Sequence, residues 1–327
     1  MNSKLIDPYG RQFPYLRLSL TDVCNFSCSY CLPDGYQCET KPSPLSLSEI
    51  KRLVNAFAEL GTWKIRLTGG EPTIRKEFQS ILKLVSATPG IDQVAMTTNG
   101  YKLKEKIESW VENGLTHLNV SVDSLDPKLF HDLTGHNRLQ EILEGIDLAL
   151  TLPLKQIKLN AVLLNKVNSH QFDEYAQFVK DKDISIRFIE LMQTGDNQAY
   201  FNQYHVSAET LTTHLTNKGW QVQSKRPGSG PAIEYRHPDH KGSFGVIAPY
   251  SEDFCDSCNR LRISSHGEFH LCLFGERGFS IRHLLQTDDQ KETLKATLIR
   301  LLGNKRKSHF LHDGDTGVTP HLASVGG

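Results

Sequence analysis

Between residues 15 and 218, short β-rich runs take turns with longer segments whose apolar positions repeat every three to four residues. The strand-like runs fall at 15–20, 64–67, 94–97, 117–122, 157–162 and 184–190. The clearest helical run is LSLSEIKRLVNAFAELG, in which Ile50, Leu53, Val54, Phe57 and Ala58 share one face. Ser46 and Glu49 have capping-box spacing at its start and Gly61 stands at its end. Six βα repeats in this order predict an α/β fold with a parallel sheet and helices outside it, either open or part of a barrel. Both layouts put ligands at the carboxyl ends of the strands. After about residue 206 the pattern changes. A helix is expected over 207–218, then short strands and turns to 270 with RPGSGP as a loop, then helical patterns near 279–286 and 289–302. The polar, aperiodic end (GNKRKSHFLHDGDTGVTPHLASVGG) reads on composition as a disordered tail.

The unusual residues collect where the strands end. A cysteine triplet follows the first strand, TGGEP the second, TTNG the third, SVDS the fourth and IELM the sixth. One face of the repeat region is therefore the expected active face. Charge adds a constraint. Lys plus Arg and Asp plus Glu both number 37, so no bulk attraction to nucleic acid or to an anionic membrane is expected, and an anionic ligand needs a local basic pocket. The N-terminal stretch lacks the apolar run of a signal peptide and no run of 18 apolar residues occurs, which predicts a cytoplasmic protein. In that compartment the seven cysteines are expected to be thiols or metal ligands.

Six of the seven fall into two groups of three: Cys24, Cys28 and Cys31, then Cys255, Cys258 and Cys272. Three thiolates are one short of a closed zinc site. They suit a four-iron cluster that keeps one iron open for chemistry. A zinc loop with a remote fourth ligand is the alternative, and it is stronger for the second group, where His266 and His270 lie nearby. Cys38 stands apart as an ordinary thiol.

CxxxCxxC directly after a strand, with Tyr30 before its third cysteine and Gly69-Gly70-Glu71-Pro72 after the next strand, resembles the radical S-adenosylmethionine (SAM) superfamily. The second group narrows this. CDSCNRLRISSHGEFHLCLFGE resembles the second-cluster motif of the GTP 3′,8-cyclases of molybdenum cofactor biosynthesis. KIRLTGGEPTIR, LNVSVDSLD, IKLNAVLLN, IRFIELM and the terminal Gly-Gly follow in that family's order. The resemblance implies a partial TIM-like barrel of six βα units (1–205) and a C-terminal second-cluster and GTP-binding region (206–327). It implies two 4Fe–4S clusters, SAM as cofactor, and cyclisation of GTP to 3′,8-cyclo-7,8-dihydro-GTP. It implies that Tyr30, Gly70, Glu71, Thr97, Ser121, Asn160 and Met192 hold SAM. Arg17, Arg66, Lys158, Arg187, Arg260 and Arg262 would hold GTP, and Gly326 and Gly327 would insert into the active site. Arg17, Arg260, Arg262 and the two tail glycines carry the catalytic assignment. The implied partners are GTP, a reduced flavodoxin- or ferredoxin-like donor and a downstream cyclic pyranopterin monophosphate synthase, with the chain a monomer or homodimer. Arginine has its own rationale here, since guanidinium binds phosphate bidentately and stays charged. Arg260 and Arg262 share a parity that points both to one face of a strand. The chain departs from the family pattern at LALTLPLKQIKLN, QTGDN and LASVGG, none of which includes a cluster ligand or one of these arginines. Two rivals remain: a two-cluster radical SAM enzyme acting on a peptide, and a zinc-stabilised binding module.

Overall fold

The computed structural model describes residues 4–36, 43–195, 197–224, 230–275 and 277–317. Cys38, Gly326 and Gly327 lie outside the described residues. The six expected strands form within a residue or two of their expected limits: β1 (Tyr15–Ser19), β2 (Lys64–Thr68), β3 (Gln93–Thr98), β4 (His117–Ser121), β5 (Gln156–Leu163) and β6 (Ser185–Glu190). They pair in parallel in chain order. The intervening helices are α1 (Leu47–Glu59), α2 (Phe78–Ser86), α3 (Leu103–Glu112), α4 (Pro127–Thr134), α5 (Leu139–Leu150) and α6 (Phe172–Phe178). The capping box at Ser46 and Glu49 is present, and Gly61 turns the chain out of α1 at φ +93°. Glu49 reaches further than the box requires, to Arg282 at 2.8 Å, so α1 is anchored to the C-terminal region.

The C-terminal third adds strands to both edges of this sheet. After α7 (Gln198–Tyr204) and α8 (Glu209–Asn217) come β7 (Gln221–Val222), β8 (Ile233–Arg236) and β9 (Ser243–Ile247), and β9 pairs in parallel with β6. On the other edge β10 (Arg260–Ile263) pairs in parallel with β1, followed outward by the antiparallel β11 (Glu268–His270) and β12 (Phe279–Ser280). The order is β12-β11-β10-β1-β2-β3-β4-β5-β6-β9-β8-β7. The segment expected to be helical near 279–286 is instead β12 and a 3₁₀ turn, Arg282–Leu284. Ile281 and Leu285, whose spacing mimics a helix face, are fully buried there. The last helix, α9 (Lys291–Leu302), packs on α1.

Alternation along the strands sorts the two faces. Leu16, Leu18, Ile65, Leu67, Met96, Leu118, Val120, Leu159, Ile186 and Phe188 join the buried core shared with the helices. Their neighbours of opposite parity, among them Arg17, Arg66, Thr97, Lys158, Asn160 and Arg187, line cavities. A barrel filled only for stability packs branched aliphatics inside. Here the inner face is polar, which marks it as the working face.

Candidate functional site

Two adjoining cavities share Thr97, Asn160 and Ile189. The larger, about 1120 Å³, opens at the carboxyl ends of the strands and is lined by Cys24, Cys28 and Cys31 together with Tyr30, Gly70, Ser121 and Met192. The cysteine loop is held there by β2's following turn. Gly70 N–H donates to the Thr21 carbonyl and Glu71 N–H to that of Val23, both at 2.9 Å. A Cβ on Gly70 would stand 2.4 Å from the Val23 carbonyl oxygen, so only glycine permits this approach.

Glu71 behaves differently from its neighbours in the motif. It is fully buried and accepts from Thr73 N (3.0 Å), Thr73 Oγ1 (2.6 Å), Thr98 Oγ1 (2.9 Å) and Asn99 N (2.7 Å). Asn99 Nδ2 in turn donates to Asn25 Oδ1 at 2.9 Å, beside Cys24. Glu71 thus braces the end of β3 and, through Asn99, the cysteine loop. Two acids on the cavity wall went unnoticed in the sequence. Asp123 accepts from Tyr30 Oη and Val162 N, each at 2.8 Å, and burial pushes its carboxyl up to about 6. Glu190 pairs with His205 at 2.9 Å. The signal for Asp123 was available: an acid at the end of a buried strand needs a reason.

The smaller cavity, about 650 Å³, is basic. Arg17, Lys64, Arg66, Lys158, Arg187 and Arg260 line it, with Tyr15 and Asn119. Strand register explains the convergence: Arg17 lies between Arg66 on β2 and Arg262 on β10, and Tyr15 between Lys64 and Arg260. Arg262 is buried beside Arg17 without lining the cavity; burial and Arg260 bring it down to about 10. Burial, then Arg187, Arg66 and Lys64, drive Lys158 down to about 5. Arg187 donates to Glu234 at 3.0 Å, while its buried Nε has no hydrogen-bond partner among the described residues. So many basic groups gathered away from water, with a donor left over, suit a polyanion.

Cys255, Cys258 and Cys272 lie behind Arg260, close enough to influence one another's ionisation. Burial raises Cys255, while Arg260, Lys305 and Arg11 overcome burial at Cys258 and bring its thiol to about 7. Arg11 donates to the carbonyls of Cys255 (2.9 Å), Lys307 (2.7 Å) and Arg306 (2.8 Å). Of the two zinc candidates, His266 Nε2 meets Asp22 Oδ2 at 3.0 Å and His270 Nε2 faces Glu268 at 3.6 Å. Among the described residues no three His, Cys, Asp or Glu side chains close tightly enough to hold a single ion. Three thiols in each group are the donor set of a four-iron cluster that keeps one iron open.

Comparison with known proteins gives the lineage. The radical SAM superfamily pattern matches residues 18–179 and the pattern described as Molybdenum Cofactor Synthesis C matches 184–311. A GTP 3′,8-cyclase of Haemophilus influenzae is 51% identical over 326 residues, covering 99% of this chain and 97% of the relative. One from Stenotrophomonas maltophilia is 53% identical over 325 residues, covering 99% and 100%. The chain belongs to the GTP 3′,8-cyclase family. Among solved structures, Streptococcus suis SuiB bound to S-adenosylmethionine has the same fold, with a TM-score of 0.59 at 16% identity over 90% of this chain and 68% of that one. The cyclase family's two portions meet in one sheet here, because β9 and β10 extend the strands of the first portion.

Proposed function

We infer that the chain acts as its family does. It is a radical SAM enzyme that cyclises GTP to 3′,8-cyclo-7,8-dihydro-GTP, the first step of molybdenum cofactor biosynthesis, with two 4Fe–4S clusters and SAM as cofactors. The observation that carries the residue-level reading is the junction of a thiol-lined cavity with a cation-lined one through Thr97 and Asn160.

In this reading Cys24, Cys28 and Cys31 hold the first cluster, and Cys255, Cys258 and Cys272 the second. When bound by these thiols, the first cluster would supply, with SAM, the radical chemistry needed at the ribose 3′ carbon. The residues do the rest. Tyr30, Gly70, Thr97, Ser121, Asn160 and Met192 hold SAM at the mouth of the strands, while Glu71, expected to touch SAM but fully buried off the cavity wall, sets the loop that faces it. Arg17, Arg66, Lys158, Arg187 and Arg260 hold the triphosphate, with Arg262 adding positive charge beside Arg17. That grip orients the ribose toward the shared wall, so proximity does much of the work. Gly326 and Gly327, outside the described residues, are assigned to the active site on the family pattern. So are a small reduced electron donor, a downstream cyclic pyranopterin monophosphate synthase, a monomeric or homodimeric state and a cytoplasmic setting. Among the described residues no helix is long and apolar enough to cross a membrane. Division of the chain near residue 205 is kept as a functional boundary.

Reduced, reconstituted enzyme incubated anaerobically with SAM and GTP tests the reading. Mass spectrometry should find 5′-deoxyadenosine and a cyclised dihydro-GTP. Deoxyadenosine formed equally well without GTP, with GTP untouched, would remove the substrate assignment.

A further inference from the structure

Tyr15 opens β1 at the wall of the basic cavity, and no role described so far uses it. It is buried at 7% exposure. Its hydroxyl accepts a hydrogen bond from Arg66 Nε at 2.5 Å, and Arg66 can only donate. Lys64 Nζ lies 5.0 Å and the Arg66 guanidinium 5.9 Å from the ring centroid. The groups facing this corner come from every neighbouring strand and are nearly all basic: Arg17 on β1, Lys64 and Arg66 on β2, His117 on β4, Lys158 on β5, Arg187 on β6, and Arg260 and Arg262 on β10. One carboxylate, Glu234 on β8, is engaged with Arg187. The aromatic oxygen of Tyr15 is therefore the group best placed to carry compensating negative charge among them.

We propose that Tyr15 is a proton-coupled charge-balancing residue of this cavity: its phenolate offsets the cations in the substrate-free enzyme, and it takes one proton from solvent when a triphosphate replaces it. The proposal rests on reading the cavity as the triphosphate site. Two further facts support it. Burial alone would raise the phenol, yet Arg66, Arg17 and Lys64 bring it to about 7, whereas burial pushes Tyr30, Tyr175, Tyr200, Tyr235 and Tyr250 up. Any phenolate near neutral pH among these six thus belongs to Tyr15. The sign for binding follows. An anion that raises the Tyr15 pKa takes up a proton, so affinity must fall as pH climbs through and above neutrality.

The test uses the reconstituted holoenzyme under anaerobic conditions, titrated with inorganic tripolyphosphate and, separately, GTP. Tripolyphosphate is transparent in the near-ultraviolet tyrosinate band. The wild type should lose tyrosinate absorbance in proportion to occupancy, and calorimetry in two buffers of different ionisation enthalpy should show proton uptake. Tyr15→Phe should lack the absorbance change, take up roughly half a proton less near neutral pH, and bind tripolyphosphate with a shallower fall in affinity toward alkaline pH. Lys158 supplies uptake that persists in the variant, so absorbance assigns the tyrosine's share. Arg66→Met, which removes the charge at the hydroxyl, should abolish the band in the free enzyme even if Tyr15→Phe folds poorly. Saturable binding with an unchanged wild-type band overturns the inference alone. Failure of both tripolyphosphate and GTP to bind overturns the cavity reading and the inference with it.

Discussion

The two cysteine loops differ less in their thiols than in the fields around them. Near Cys24, Cys28 and Cys31 the charged neighbours are acids: Glu71 acts on Cys24, Asp123 acts on Cys28, and Glu190 shares the cavity. Near Cys258 they are Arg260, Lys305 and Arg11. The same number of thiols thus stands in a negative setting at one end of the site and a positive one at the other. Charge complementarity explains why. A sulfonium cofactor is favoured beside carboxylates, and a triphosphate beside guanidinium groups. In a chain with equal numbers of acidic and basic residues, this polarity can only come from placement.

Removing the thiols tests the comparison most severely. Cys24→Ala or Cys28→Ala is expected to abolish deoxyadenosine formation. Cys258→Ala should keep about four irons per chain instead of about eight, bind SAM with wild-type affinity and give no cyclised product. Iron quantitation, SAM binding and product analysis check this, and loss of SAM binding in Cys258→Ala would show that the two regions are not separable. Next come the cations. Arg17→Ala and Arg260→Ala should each weaken GTP binding by roughly 10²-fold, the scale of a lost charge-assisted contact, and Arg262→Ala, whose side chain lies off the cavity wall, should weaken it by less. Both clusters and SAM affinity should be spared. Raising ionic strength should weaken GTP binding far more than SAM binding. Iron loss in these variants would instead mark the arginines as structural. On the acidic side, Asp123→Asn removes the charge and leaves one acceptor oxygen where Tyr30 Oη and Val162 N now use two. SAM affinity should fall about tenfold, or ~1.4 kcal/mol, with GTP affinity unchanged; equal losses for both ligands would erase the contrast.

The comparison also shows what the chain discloses locally. The six parallel strands were legible because each carries a period-2 pattern and each intervening helix a 3.6 period. The cysteines were legible because their spacing is unusual. What was hidden depends on contacts between distant segments. Nothing within CNRLRIS says that β10 will lie against β1, which is what sets Arg262 beside Arg17. Lys64 and Tyr15 look like ordinary strand ends until register brings them into the basic cavity. Glu71 sits in a recognisable motif, but its burial under Thr73, Thr98 and Asn99 follows from how the β2 and β3 turns meet. The 279–286 stretch misled because burial of Ile281 and Leu285 copies helical spacing while β11 supplies a strand partner.

The smallest expected effect lies where the two regions touch. Asp22, two residues before Cys24, accepts from Ser265 Oγ at 2.6 Å through Oδ1 and faces His266 Nε2 at 3.0 Å through Oδ2. Ser265 and His266 lie just past β10, the strand that carries Arg260 and Arg262. This one carboxylate therefore fixes the negative loop against the positive strand. Ser265→Ala removes one hydrogen bond to a charged acceptor and should cost about 1–2 kcal/mol, with Asp22→Asn similar because its amide offers one acceptor where the carboxylate offered two. Thermal unfolding of the iron-loaded protein reads the loss, and both clusters should remain. The decisive measurement is the double variant. Because Asp22→Asn takes the charge from the bond that Ser265→Ala removes, the double variant should cost less than the two single losses added together. Strict additivity would mean that the carboxylate and the hydroxyl act independently, and that this contact does not join the two regions.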